Sequence, residues 1–280
     1  MPLDVMSIVL FAALLHAGWN SFIRASSDKF RNTLLIVLGG AFWMLLLLPA
    51  LPLPAVESLP YIGASVLIHA VYFSLVAFSY RDGELSFVYP LMRGLAPALS
   101  AIAAALFIGE SSSSGGWIGV FLISLGILLL TGDSINSGSF RASPAIFAVG
   151  NACVIVLYTI VDGKGVRLSG NALSYTGWIF LLTAPILLAL SAFGRGISIS
   201  QSIKTGWRQG LLGGACTFAS YAIALWAMTR APIALVAALR ETSVVFAAII
   251  ASSYLKEPVS RLRYASILTV FAGAVLMKIL

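Results

Sequence analysis

The sequence predicts an all-α membrane protein of about ten transmembrane helices, arranged as two inverted five-helix repeats around a central cavity. Three observations predict it. Of the 280 residues, 60% are hydrophobic and 10% charged, and the mean hydropathy is +1.00; a soluble domain carries about a quarter charged residues. The apolar residues fall in runs long enough to cross a hydrocarbon layer of about 30 Å. Charged residues recur in register between the halves. Arg93 and Glu110 stand 17 residues apart, as do Arg240 and Glu257, and these pairs share an offset of 147 with Ala77 and Ala224.

Runs bounded by Gly, Pro, Ser and charges place the helices at 3–23, 32–51, 60–80, 85–108, 115–131, 144–161, 172–193, 208–228, 232–254 and 263–280. Strands are excluded because no alternating ten-residue pattern appears, and backbone groups in lipid must bond internally. The first run, from Val5 to Phe22, has no basic segment before it and no small-residue cleavage site after it, so it reads as a retained helix and not a signal peptide. In the fourth, Pro90 and Pro97 flank Arg93, which predicts a kink beside the charge and freed carbonyls. The polar stretch from Thr131 to Ser139 lies near mid-chain and reads as a seam: repeats at 1–131 and 144–280, with a linker at 132–143.

Five helices per half is an odd number, so the second copy enters the membrane inverted. Eleven Lys and Arg lie in the odd-to-even loops, against four in the remaining loops and the C-terminal end. The positive-inside bias then makes the odd-to-even loops cytoplasmic and puts both termini outside, in a multi-pass protein of the inner cell membrane. The same bias accounts for the net charge of +7 without a nucleic-acid partner. The partners expected are a small-molecule substrate and the lipid bilayer, with the chain acting as a monomer.

Burying an ionised side chain at mid-membrane costs about 2.5–3.5 kcal/mol or more, so Arg93, Arg240 and Glu241 are the first candidates for function. The bland alternative is an Arg–Glu pair that only sets helix packing. Helical spacing gathers His16, Trp19 and Asn20 on one face of the first helix and His69, Tyr72, Phe73 and Tyr80 on one face of the third. Tyr89 precedes Arg93 by one turn; Asn151 and Tyr158 come from the sixth helix and Tyr221 from the eighth. Trp19, Asn20, His69, Tyr72, Tyr89, Arg93, Tyr158, Tyr221, Arg240 and Glu241 are therefore the expected substrate-binding residues, in an interior suited to an organic solute. The histidines could equally be interhelical hydrogen-bonding groups.

Trp43, Trp117, Trp178 and Trp207 near segment ends read as interfacial belt residues, and Gly18, Gly126, Gly150 and Gly213 as close-packing positions. The aspartates read as solvated loop-edge residues. Cys153 and Cys216 lie in apolar runs without metal-ligand spacing, so no metal, cofactor or disulfide is expected. HExxH, GxSxG, P-loop and GxGxxG contexts do not occur, which argues against an enzyme, and no filter-like motif suggests a channel.

The segment Tyr80–Gly94, closing at Gly109-Glu110, and its counterpart Ala231–Ser243, closing at Lys256-Glu257-Pro258, resemble the two signature regions of the EamA-type drug/metabolite transporter superfamily. His16-Ala17-Gly18-Trp19-Asn20 resembles that family's first helix, and the likeness spans essentially the whole chain. The resemblance implies a ten-helix, two-repeat carrier working by alternating access and exporting amino acids or related metabolites. Cavity aromatics favour the aromatic amino-acid exporter branch. Nucleosides, sugars and drug-like cations stay open as substrates, and a membrane-embedded or lipid-modifying enzyme is the alternative from another class.

Overall fold

The structure is a computed structural model that describes residues 1–24, 29–82, 85–110, 112–136, 142–195, 199–254 and 260–279. Eleven α-helices occupy them: α1 (Leu3–Arg24), α2 (Lys29–Leu47), α3 (Leu59–Asp82), α4 (Leu85–Phe107), α5 (Ser114–Asn136), α6 (Ala142–Leu168), α7 (Ala172–Arg195), α8 (Ile199–Met228), α9 (Ile233–Glu241), α10 (Ser243–Tyr254) and α11 (Arg261–Ile279). Among the described residues, nine of these helices are long and apolar enough to cross a bilayer. The tenth segment is α9 followed by α10. Glu257, with Lys256 and Pro258, lies outside the described residues, as do Gly83, Glu84 and the linker centre from 137 to 141.

Helix ends differ from the sequence expectation where local chemistry intervenes. Pro49 offers no N–H, so α2 gives way at Leu48–Ala50 to a tighter 3₁₀ turn. Pro90 and Pro97 lie inside α4 without breaking it, and just after Pro97 the Ala98 N–H donates across to Ser124 Oγ of α5 at 3.0 Å. The helix expected over 232–254 is interrupted instead at Thr242, whose Oγ1 donates to the Leu239 carbonyl at 2.6 Å and competes for the helix's own acceptor. Helix α6 continues well past Ile160 to Leu168, and α5 runs on to Asn136.

Packing runs largely between the halves. Helix α1 packs on α8, α9 and α10; α2 on α7 and α8; α3 on α6 and α7; α4 on α5, α6 and α9; and α5 on α11. If the first five helices exchange places with α6, α7, α8, α9–α10 and α11, the pairs α1–α8 and α3–α6 interchange, as do α2–α8 and α3–α7. The pairs α2–α7, α4–α9 and α5–α11 map onto themselves.

Glycine makes the tightest of these seams possible. A Cβ on Gly39 would collide with the Gly210 carbonyl, and one on Gly214 with the backbone of Gly39 and Gly40, so α2 and α8 meet backbone to backbone. Of the glycines singled out in the sequence, Gly126 of α5 does lie against Val270 and the Ser266 carbonyl of α11, and Gly213 is buried. Among the described residues, nothing stands within 4 Å of where a side chain on Gly18 or Gly150 would lie, so neither is a close-packing position there.

Candidate functional site

Arg93 and Arg240 are 2% and 3% exposed, and Glu241 is 2%. Helix α4 carries Arg93 from the first half to the Thr242 interruption in the second, where Arg93 Nε lies 2.8 Å from Glu241 Oε2. The contact is close as an ion pair but is not aligned as a hydrogen bond. Arg93 also places a terminal nitrogen 2.6 Å from His16 Nε2 of α1 and its guanidinium 5.8 Å from the Tyr89 ring. A guanidinium can only donate, so His16 Nε2 accepts and its proton sits on Nδ1. Trp19 Nε1, 3.3 Å from Nδ1, is then an edge-on packing contact, with the rings 5.0 Å apart and inclined at 79°.

Arg240 is less fully engaged. Its terminal nitrogen is 3.7 Å from Glu241 Oε1 and donates to Tyr158 Oη at 3.1 Å; its Nε, like that of Arg93, has no hydrogen-bond partner among the described residues. The guanidinium carbon stands 5.8 Å from the Tyr158 ring and 5.6 Å from the Tyr221 ring. Two buried cations thus share one carboxylate, and the nearer share goes to Arg93.

An aromatic group from four helices continues outward from Arg240. His69 of α3 stacks on Tyr158 of α6 at 4.8 Å, and Tyr72 meets Tyr158 edge-on at 5.8 Å. Tyr221 of α8 meets His69 at 5.9 Å and Phe180 of α7 at 6.4 Å. His69 Nδ1 also lies 2.9 Å from the Ser65 carbonyl on its own helix. His16, Trp19, His69, Tyr72, Tyr89 and Tyr221 all keep part of their surface exposed although they converge from different helices.

Of the residues expected to bind substrate, the structure brings together Trp19, His69, Tyr72, Tyr89, Arg93, Tyr158, Tyr221, Arg240 and Glu241, linked by His16. Asn20 is not drawn in: its side-chain amide donates to the His16 carbonyl one turn back at 2.9 Å. Asn151 is buried and donates to Met92 Sδ at 3.0 Å. The tryptophans expected as a belt divide: Trp207 is exposed, while Trp43 Nε1 donates to the Leu211 carbonyl at 3.0 Å and Trp178 packs into the core.

Two anions play roles the sequence reading did not give them. Asp162 is not a solvated loop-edge residue but is fully buried on α6, accepting from Tyr175 Oη at 3.1 Å on Oδ1 and from Tyr221 Oη on Oδ2. The available signal was its spacing of four from Tyr158, which puts both on one helix face once α6 is extended past 161. Glu110 follows the left-handed Gly109 (φ 74°), and its N–H reaches back to the Ala104 carbonyl at 3.2 Å, a glycine-stopped helix end. Its side chain caps a helix of the other half. Pro232 at the start of α9 supplies no side-chain cap, and Glu110 Oε2 accepts the Ile233 N–H at 2.8 Å. Arg167 pairs with Glu110 at 2.6 Å and donates to the Met228 and Ala231 carbonyls at 2.8 and 3.2 Å. Three loops are thereby tied at one end of the bundle.

Together, these features define an integral multi-pass membrane protein with charges and aromatic rings gathered between its helices. Residues 142–279, the second of the two halves, match the EamA-like transporter family. A crystal structure of another protein, 17% identical, superposes over 99% of this chain and 98% of its own with a TM-score of 0.75. At that identity the likeness shows the fold. Among curated proteins none matches the sequence significantly.

Proposed function

We propose that this chain is an EamA-type secondary transporter that exports small organic metabolites, and that its substrates are amino acids with aromatic or other apolar side chains, crossing the inner membrane by alternating access. The observation carrying the proposal is the pair of buried guanidinium groups sharing a single Glu241 carboxylate beside an aromatic wall. An incoming carboxylate completes that charge arrangement. Arg240 is the anchor in this reading, because Arg93 is already held by Glu241 at 2.8 Å and by His16, whereas Arg240 stands 3.7 Å from the same carboxylate. His69, Tyr72, Tyr158 and Tyr221 offer flat apolar surfaces to a large side chain. Trp19 lies on the Arg93 side through His16.

The exchange symmetry of the helix pairs supports two inverted repeats, 1–131 and 144–280, that rock about this group. The Glu110–Arg167 tie holds one end together, and by the distribution of Lys and Arg that end is external. Rocking breaks the tie and exposes the site on that side.

The test is counterflow in proteoliposomes with labelled Phe, Trp, Met and Thr. Selective exchange of Phe or Trp is expected. Arg240→Gln should weaken exchange about 10–100-fold, the worth of hydrogen bonds to a charged group, with folded protein retained. Absence of exchange with all four solutes rejects the amino-acid carrier; undiminished exchange in Arg240→Gln rejects the anchor.

A further inference from the structure

We infer that Asp162 is a proton-binding site that couples proton movement to the transport cycle, an inference that rests on the carrier reading above. Asp162 has no exposed surface, and its two oxygens are taken by hydroxyls, Tyr175 on one and Tyr221 on the other. Among the described residues no cation forms an ion pair with it. An ionised carboxylate buried in a membrane without a cation is costly and is relieved by binding a proton or a cation. The site is closed around the carboxyl, with room for a proton and not for a substrate's ammonium group.

The surrounding groups can be named helix by helix. Helix α3 brings Ser65 and His69, α7 brings Tyr175 and α8 brings Tyr221. From α9, Arg240 stands over the Tyr221 ring. From α4, Tyr89 and Arg93 belong to the Glu241 group. On α6 itself, Lys164 donates to the Phe107 carbonyl and Arg167 is tied to Glu110. Tyr221 is therefore the link: its hydroxyl touches Asp162 while its ring touches both His69 and Arg240.

The step balances simply. A proton joins Asp162 Oδ2, the carboxylate becomes neutral, and the new O–H donates to Tyr221 Oη while the tyrosine's own O–H turns toward the partly exposed aromatic group; release on the other side reverses it. No bond other than O–H forms or breaks. Protonation removes one negative charge from an interior that Arg240 shares through Tyr221, so occupancy of the two sites is linked reciprocally.

The experiment is net Phe uptake down an imposed Phe gradient, by the whole protein in Phe-free liposomes loaded with a pH-sensitive dye. Phe movement is expected to carry a lumenal pH change, abolished in Asp162→Asn and kept in Asp162→Glu. Net Phe uptake without any pH change overturns the inference and leaves the carrier reading standing; absence of uptake and exchange with every amino acid tested removes both. An undiminished pH signal in Asp162→Asn also overturns the inference. Should Asp162→Asn fail to fold, Tyr175→Phe decides. It removes a donor to the carboxylate but no titrating carboxyl, so the pH midpoint of Phe exchange should move upward by about one unit; an unmoved midpoint overturns the inference.

Discussion

At the scale of the residue, the Arg93–Glu241 pair shows how burial decides what a charge is worth. Both side chains are about 3% exposed, so each depends on the other for the solvation it has lost. Glu241→Gln leaves the buried Arg93 without a countercharge, beside His16 and the Tyr89 ring, and should destabilise the protein by about 3–5 kcal/mol, read as a lower thermal midpoint in detergent. The double variant Arg93→Met with Glu241→Leu should be more stable than either single one, because no charge is then left alone. A double variant no more stable than the singles would show that the pair is not what holds α4 against α9. Arg240 is held differently: its guanidinium charge, spread over a plane, faces two tyrosine rings and is only loosely held by Glu241 at 3.7 Å. Its loss should therefore show in transport more than in stability.

Helices meet through small surfaces, and at this scale the α2–α8 seam is the clearest example. Apolar side chains gain little by packing together in lipid, so close backbone approach has to supply the contact. Gly39→Val would drive a branched side chain into the Gly210 carbonyl, and is expected to abolish folded yield. Gly63→Ala of α3 meets nothing within 4 Å among the described residues and should be tolerated; the yield of monodisperse protein on size-exclusion chromatography checks both. The Glu110 cap acts on an element too. With Cys153 and Cys216 replaced, a cysteine at Ala231, which is 8% exposed, should react faster with an impermeant maleimide when Glu110 is changed to Ala. An equal rate would mean that the cap on α9 does not hold that end shut.

The whole molecule depends on contacts between its halves. The Arg93–Glu241 pair, the Glu110 cap, and the α2–α8, α3–α6 and α5–α11 packings all join residues from opposite sides of the central linker. Coding the protein as two polypeptides divided between 136 and 142 should therefore give halves that are unstable alone and that recover counterflow when co-expressed. Recovery by either half alone would contradict a site built between them.

Much of this was legible without coordinates, and particular residues show where legibility stops. Apolar runs and the ban on unsatisfied backbone in lipid determine the helices, and the shared 147-residue offset of the two arginines is the sequence's sign of a repeat, because both signals are local or periodic. The intramembrane arginines stand out for the same reason: a charge in an apolar run is visible in one dimension. Which anion answers which cation is not. Glu241 adjoins Arg240 in sequence but lies nearer Arg93 of the other half, Asp162 meets tyrosines from two other helices, and Glu110 caps a helix more than a hundred residues away. Those choices were made by side-chain geometry across the interface of the halves, where distances of a few ångströms set electrostatic energies and no spacing along the chain records them.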